Sequence, residues 1–291
     1  MNGDTSAAEA TREAVSRPVR RAAVITHGKP ATIGPALERL EKVAREAGVD
    51  LLMPEEEVEK HGIGETGSDL DASDLAVVLG GDGTMLRALQ RFLGSDVPVI
   101  GVNFGRVGFL ASMDQVELEA GLARVFAGDY RVVPLSTLDL EGGGERASAV
   151  NDAVALTAVR GRMVELGWTI GGEDLGVQPC DGMICATPSG STAYNLSNGG
   201  PVLVRGVDAM AITFIAPHSL HVRPIVVPRG LELEIRNETL DVGVSIIVDG
   251  HVVTDLDSGE TALVRLGERT ALLATLPGTT FFSRYRETFG S

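Results

Sequence analysis

The run Gly80-Gly81-Asp82-Gly83-Thr84 sets a carboxylate and a hydroxyl among glycines. Glycine lets a backbone approach a ligand closely and adopt positive φ, and the free N–H groups at a helix start favour phosphate. A carboxylate beside phosphates needs its own reason. It can hold Mg²⁺ or take a proton from an attacking hydroxyl, and either use offsets the repulsion between two anions. In a plainer reading Asp82 caps a helix and the glycines make a tight turn. A cap needs no glycine, however, and Gly80, Gly81 and Gly83 directly follow the apolar run Leu75 to Leu79. The end of a buried parallel strand is where ligands bind in α/β sheets. Phosphoryl transfer is therefore the expected chemistry, with the acceptor left open. Gly81, Asp82, Gly83, Thr84 and Arg87 form the first candidate group.

Further segments carry weaker signals. Cys180 to Tyr194 runs from an apolar strand containing Asp181 through Pro188 and Gly190 to the hydroxyl residues Ser189, Ser191 and Thr192, then into a helix finished by Gly199 to Pro201. Small hydroxylated residues at a helix start make a polar cradle, although an ordinary strand, turn and capped helix would use them too. A strand over Ser148 to Leu156 would put Asp152 on one face with Val150, Val154 and Leu156. A carboxylate buried there needs a partner. A ribose diol or an adenine amino group would serve, and so would a buried Arg or a backbone N–H. The segment Asn103-Phe104-Gly105-Arg106 follows a strand at the same sheet edge, and Arg106 is either a phosphate contact or a solvated loop arginine. Pro217 to Pro224 holds His218 and His221 without a third metal ligand at usable spacing, and reads as loop architecture. Asp249-Gly250 reads as a hairpin turn, a functional Asp249 being the alternative.

The elements that must position these residues follow from periodicity. Ala22 to Thr26 reads as a buried strand, and Ile33, Leu37, Leu40 and Ala44 recur at helical spacing up to Gly48. Val49 to Met53, Leu75 to Leu79 and Val97 to Val102 read as strands, Glu55 to Asp74 as a surface loop, and Met85, Leu89, Phe92 and Leu93 as one helix face. Strands alternating with helices predict a doubly wound α/β unit. Asp114 with Glu117 resembles a capping box ahead of a helix with Leu118, Leu122, Val125 and Phe126 on its apolar stripe. After Asp129 the period changes to strict alternation, as in Val164, Leu166, Trp168 and Ile170, with turn signals between runs. The fold class expected is α/β plus β, with an α/β domain over 21–128, a β-rich domain over 129–270 and a polar, disordered lead-in over 1–20.

Composition narrows the partners. A net charge of -15 argues against broad binding to nucleic acid or anionic membrane, and it requires local positive charge or a divalent cation for phosphate handling. No run approaches the roughly 18 apolar residues needed to cross a bilayer, and the start lacks a signal-peptide core, so a cytoplasmic location is expected. Cys180 and Cys185, five apart in what reads as one strand, point to opposite faces and suit neither a mutual disulfide nor a metal site.

Together the segments resemble the NAD kinase family. The matching pieces are Thr26 to Pro30, Gly80 to Thr84, Asn103 to Leu110, Asn151-Asp152, Asp181 to Pro201, Pro217 to Pro224 and Val248 to Gly250. GGDGT is shared with lipid kinases of the diacylglycerol type and with phosphofructokinases, whereas STAYNLSNGGP is much more specific. The resemblance implies a Rossmann-like first domain, a sandwich-like β-rich domain, an NAD site in the cleft between them, and a last segment, Ala271 to Ser291, that returns to the first domain. It implies that Asp82 draws the proton from the ribose hydroxyl, that Asn151 and Asp152 contact the adenosine, and that Asp181 contacts a ribose or the nicotinamide end. Thr192, Ala193, Tyr194 and Ser197 would wall the dinucleotide pocket. Ser189, Asn103, Phe104, Arg106 and Asp249 complete the candidate binding set. Asp152 stands where the family often has Glu, Ser189 where it often has Thr, Asn198 where it often has Ala, and Arg106 where it varies.

The activity so implied is transfer of a phosphoryl group from ATP or polyphosphate to the adenosine ribose 2′-hydroxyl of NAD, giving NADP. Mg²⁺ or another divalent cation would act mainly through the donor phosphates, and a homo-oligomer, dimer or tetramer, is expected by resemblance. Direct in-line transfer is expected, because positioning and charge neutralisation supply most of the barrier reduction. Two alternatives stand beside this reading. A lipid kinase would use the same GGDGT but needs an interfacial surface, and the chain shows no basic amphipathic helix. A silent dinucleotide sensor would gain nothing from a carboxylate facing phosphates.

Overall fold

The computed structural model describes residues 17–27, 30–61, 65–66, 69–105, 108–219 and 221–290. The chain divides into two compact units, Met1–Pro134 with Ala271–Ser291, and Leu135–Thr270.

In the first unit the chain runs β1 (Arg21–Thr26), α1 (Pro30–Ala47), β2 (Asp50–Met53), α2 (Glu55–His61), β3 (Glu65–Thr66), β4 (Leu75–Gly80), α3 (Asp82–Arg91), β5 (Val99–Asn103), β6 (Met113–Asp114), α4 (Leu118–Phe126) and β7 (Arg131–Leu135). The second unit follows as β8 (Leu138–Gly142), β9 (Glu145–Ala149), β10 (Asp152–Thr157), β11 (Val164–Ile170), β12 (Glu173–Cys180), β13 (Gly182–Ala186), α5 (Tyr194–Ser197), β14 (Ala209–Ile215), β15 (Ile225–Pro228), β16 (Leu233–Asn237), β17 (Val244–Val248), β18 (His251–Leu256) and β19 (Thr261–Leu266). β20 (Ala271–Thr275) and α6 (Phe281–Phe289) return to the first.

The first sheet has the order β3-β2-β1-β4-β5-β20-β7, with β6 beside β5. β1, β2, β4, β5 and β20 pair in parallel. β4 is buried along its whole length, as the continuous apolar run requires of a strand covered on both faces. Ile33, Leu37, Leu40 and Ala44 form the buried face of α1, which stops at Gly48 in the left-handed region at φ 69°. Val19 is buried, and its N–H donates to the Phe126 carbonyl at 3.0 Å. The remainder of the lead-in, residues 1–16, lies outside the described residues.

The second unit is two six-stranded antiparallel sheets, β15-β14-β13-β10-β17-β18 and β12-β11-β16-β19-β8-β9. Leu166, Leu233, Ile235 and Val264 of one sheet share a core with Met183, Met210 and Ile246 of the other. The hairpins turn on positive-φ glycines, Gly143-Gly144 after β8 and Gly171-Gly172 after β11.

Several sequence expectations are corrected. The acidic stretch from Glu55 to Asp74 is not simply a loop, because it contains α2, β3 and a 3-10 turn at Leu70–Ala72. Its spacing is too polar and too short to show helical periodicity. Ser148 to Leu156 is not one strand: β9 ends at Ala149 and β10 begins at Asp152. Cys180 and Cys185 do not alternate along one strand either. A break at Asp181 puts them on β12 and β13, in different sheets, and both thiols enter the same core. Both are free, and burial pushes the Cys180 thiol up to about 12.

Candidate active site

β1 and β4 lie side by side, yet the chain leaves β1 toward β2 and leaves β4 toward β5, in opposite directions across the sheet. A crevice opens at the carboxyl ends of strands where connections diverge in this way. A cavity of about 610 Å³ lies there, lined by His27 after β1, Ile33 of α1, Gly80 at the end of β4, Gly81 in the turn, Gly83, Thr84 and Arg87 of α3, and Phe104 and Gly105 after β5. The Phe104 N–H donates to the Gly80 carbonyl at 3.1 Å, which ties the two loops together, and the Gly105 N–H donates to Asn103 Oδ1 at 2.9 Å within the second loop. Arg106 lies outside the described residues, as do Gly28 and Lys29.

The glycines of GGDGT serve close approach and not left-handed backbone, since none of Gly80, Gly81 and Gly83 has positive φ. At Gly80 a Cβ would stand 2.5 Å from Thr84 Oγ1. At Gly81 and Gly83 it would meet nothing within 4 Å, so a side chain there would occupy the cavity itself. Asp82 opens α3, and Gly81 is the cap residue. The Asp82 carboxylate does not cap the helix. It accepts from the Phe109 N–H at 2.8 Å and the Leu110 N–H at 3.2 Å. A Cβ on Gly108 would stand 2.3 Å from Asp82 Oδ1, so glycine is required there for the carboxylate to seat. Each oxygen retains lone-pair capacity for a second partner.

The sequence reading missed Glu57. This buried side chain of α2 accepts from Thr26 Oγ1 at 2.5 Å and lies 4.0 Å from the Arg87 guanidinium, which donates to the Thr26 carbonyl at 2.8 Å. Arg87 is thereby held at the cavity wall from two sides. Nothing in the run EEEVEK sets Glu57 apart from the other glutamates in sequence.

In the second unit, Asp249 at φ 46° and Gly250 at φ 85° form the tight turn from β17 to β18, the left-handed pair that such hairpins favour. The Asp249 carboxylate also accepts from the N–H groups of Val150 and Asn151, each at 2.8 Å, and of Asp152 at 3.0 Å. It therefore fixes the kink that separates β9 from β10. Asp152 is 7% exposed, and burial first, then the Asp249 charge, pushes its carboxyl up to about 7. Asn151 Oδ1 is buried and finds no hydrogen-bond partner among the described residues.

Thr187 is stitched to the same kink: its N–H donates to the Asn151 carbonyl at 2.9 Å and its hydroxyl to the Val150 carbonyl at 2.7 Å. In the STAYNLSNGGP run, part of the polarity is internal. The Ser191 hydroxyl donates to the Pro188 carbonyl at 2.7 Å, and buried Asn195 donates to the Ser191 and Pro201 carbonyls while accepting from Thr213 Oγ1 at 2.7 Å. The expected helix is a 3-10 turn, Gly190–Thr192, followed by the single turn of α5. Thr192 Oγ1 donates to the Ser189 carbonyl at 3.2 Å, Ala193 is half-buried, and Tyr194 and Ser197 are exposed. Asn198 Nδ2 donates to the Tyr194 carbonyl at 2.9 Å.

The structure brings Asn151, Asp152, Asp249 and the Ser189 turn to one end of the β10–β13 pair, where Asp152 faces Ala186. It does not bring Asp181 with them. Asp181 precedes Gly182, which faces Leu156 at the other end, about 13 Å away along the strand.

A carboxylate fixed between two glycines of a cavity at the sheet's switch point, in a chain that adds a β-rich unit with its own polar corner, defines a two-domain enzyme of the phosphoryl-transfer class. Residues 38–130 match the family model of the ATP-NAD kinase N-terminal domain and residues 150–276 that of the ATP-NAD kinase C-terminal domain. The chain is 37% identical over 223 residues to the NAD kinase of Gemmatimonas aurantiaca, covering 75% of this chain and 77% of that one. It is 36% identical over 268 residues to the NAD kinase of Bordetella parapertussis, covering 86% and 88%. Among solved structures, yeast NADH kinase complexed with NADH superposes with a TM-score of 0.83 at 25% identity, covering 94% of this chain and 88% of that one. An NAD kinase from Archaeoglobus fulgidus in complex with ATP superposes at 0.74, also 25% identical, covering 93% and 97%. The chain belongs to the NAD kinase family, and its activity is the phosphorylation of NAD to NADP. These matches do not favour the lipid-kinase or silent-sensor alternatives. No helix among the described residues is long and apolar enough to cross a membrane.

Proposed function

We propose that Asp82 is the base of the reaction, that the acceptor is the adenosine ribose 2′-hydroxyl of NAD, and that ATP is a donor, with polyphosphate as the second donor to test. The observation that carries this is the seat of Asp82: two backbone N–H groups orient its carboxylate at 2.8 and 3.2 Å, beside a cavity whose glycines leave room for phosphate. The 2′-oxygen attacks the terminal phosphorus of the donor, the bond from that phosphorus to its bridging oxygen breaks, and the hydroxyl proton passes to Asp82. The donor leaves one phosphate shorter. Arg87, braced by Thr26 and Glu57, and the N–H groups at the start of α3 hold the donor phosphates. Gly83, Thr84, Asn103, Phe104 and Arg106 complete that set.

In the β-rich unit, Asn151 and Asp152 recognise the adenosine. The unsatisfied Asn151 Oδ1 suits a donor such as the adenine amino group. Thr192, Ala193, Tyr194, Ser197 and Ser189 line the dinucleotide site, Asp181 contacts a ribose or the nicotinamide end, and Asp249 supports the Asn151–Asp152 kink.

The donor set fits Mg²⁺ carried by the phosphates. The described residues hold no group of three His, Cys, Asp or Glu placed to cage an ion, and Mg²⁺ takes one or two carboxylates together with phosphate oxygens and waters. Bound there, it would neutralise charge developing on the donor phosphates. A cytoplasmic location and a homo-oligomeric state, dimer or tetramer, belong to the same proposal.

The test is NADP⁺ formation from NAD⁺ by the purified protein with Mg²⁺, run in parallel with ATP and with polyphosphate, and repeated after chelation. Product with ATP that disappears on chelation is expected. Equal turnover without divalent cation would overturn the donor arrangement.

A further inference from the structure

The hydrogen bonds that seat Asp82 come from a segment that the end of the chain covers. Phe109, which donates the shorter of them, is 8% exposed. Its ring lies 5.8 Å from that of Phe281 and 5.6 Å from that of Phe289, at the two ends of α6. Tyr285 joins these two, 6.4 Å from Phe281 and 5.1 Å from Phe289. The spacing of 281, 285 and 289 is i, i+4, i+8, which puts all three rings on one face of α6. The helix start is fixed by a reciprocal cap in which the Ser283 N–H donates to Thr280 Oγ1 and the Thr280 N–H to Ser283 Oγ, each at 3.0 Å. Gly108 leaves no slack between this segment and the carboxylate, because even a Cβ there would stand 2.3 Å from Asp82 Oδ1.

The geometry points to α6 as an aromatic clamp that positions the base: Phe281 and Phe289 hold the Phe109 ring, and so aim the Phe109 and Leu110 N–H groups at Asp82. These are positioning residues, and the inference rests on the reading of Asp82 as base. A ring that only filled space would affect stability. A clamp acts on kcat, because it fixes the direction of a carboxylate that must meet a hydroxyl within hydrogen-bond reach.

The experiment measures kcat, KM for NAD and ATP, and the thermal midpoint for Phe281→Ala/Phe289→Ala, for Phe281→Leu/Phe289→Leu, and for each pair in an Asp82→Asn background. The alanine pair is expected to lower kcat about ten- to a hundredfold with both KM values within about twofold, the leucine pair to recover most of that, and the Asp82→Asn background to show no further loss. Phe289→Ala alone, at a ring already 43% exposed, makes the same comparison if the alanine pair does not fold. A folded alanine variant with parental kcat would overturn the clamp, as would an equal fold-loss in both backgrounds. Parental turnover by Asp82→Asn itself would instead sink the base reading and the clamp with it.

Discussion

Asp152 and Asp249 are two carboxylates tied to one kink in different surroundings. Asp249 accepts three backbone N–H bonds, whereas Asp152 is buried beside that charge and its carboxyl is pushed up to about 7. A folded-state value above the unfolded value of about 3.9 means that the native state keeps a proton which the unfolded chain has lost, so stability falls as pH rises from about 4 to 7 and then levels. Asp152→Asn is therefore expected to unfold at higher denaturant than the parent at pH 8, by on the order of 1–3 kcal/mol, with the advantage gone at pH 4. Urea titrations at the two pH values check this, and equal gains at both would contradict it. Asp249→Asn should act in the other direction. An amide offers one acceptor oxygen where three N–H groups converge, and leaving a buried donor unsatisfied costs about 1–3 kcal/mol. A lower urea midpoint with an unchanged m-value is the expected outcome, and an unchanged midpoint would mean that water replaces the lost acceptor.

At the scale of elements, two glycines separate the roles of the motifs. Gly190 in the STAYN turn has no room, because a Cβ would sit 2.0 Å from the Asn151 carbonyl oxygen, whereas Gly81 faces open cavity. Gly190→Ala is expected to cost about 1–3 kcal/mol or more by displacing backbone, and to raise KM for NAD. Gly81→Ala should change stability by less than about 1 kcal/mol while raising KM for the donor. Thermal midpoints and the two KM values separate the cases, and a stable Gly190→Ala with parental KM for NAD would refute the first. Strongly periodic elements are legible in the sequence for a plain reason: the apolar face of α1 and the unbroken run of β4 are spelled in residue type. The kink at Val150-Asn151 is not, because the Asp249 carboxylate that makes it lies 98 residues from Asn151 along the chain. Between Cys180 and Cys185, by contrast, the change of sheet does leave a mark, the Asp181-Gly182 pair, which reading both cysteines on one strand passed over.

Across the whole molecule, the residue types of GGDGT point to phosphoryl transfer and the resemblance carried by STAYNLSNGGP adds NAD as acceptor, while the side chains that support them are not marked in the sequence. Glu57 looks like any acidic surface residue until α2 buries it against Thr26, and Phe109 acquires its meaning from rings some 170 to 180 residues later in the chain. With a net charge of -15, the protein is proposed to handle phosphates through a few local devices: a braced arginine, a helix start and glycines that leave space. In the proposed reaction Asp82 is the group that the chemistry cannot spare. The most direct test is single-turnover NADP⁺ formation by Asp82→Asn with saturating ATP and Mg²⁺, alongside NAD binding by calorimetry. A rate lower by about 10²- to 10⁴-fold with NAD affinity retained is predicted. A rate within a few-fold of the parent, with binding intact, would contradict the assignment of Asp82 as the base.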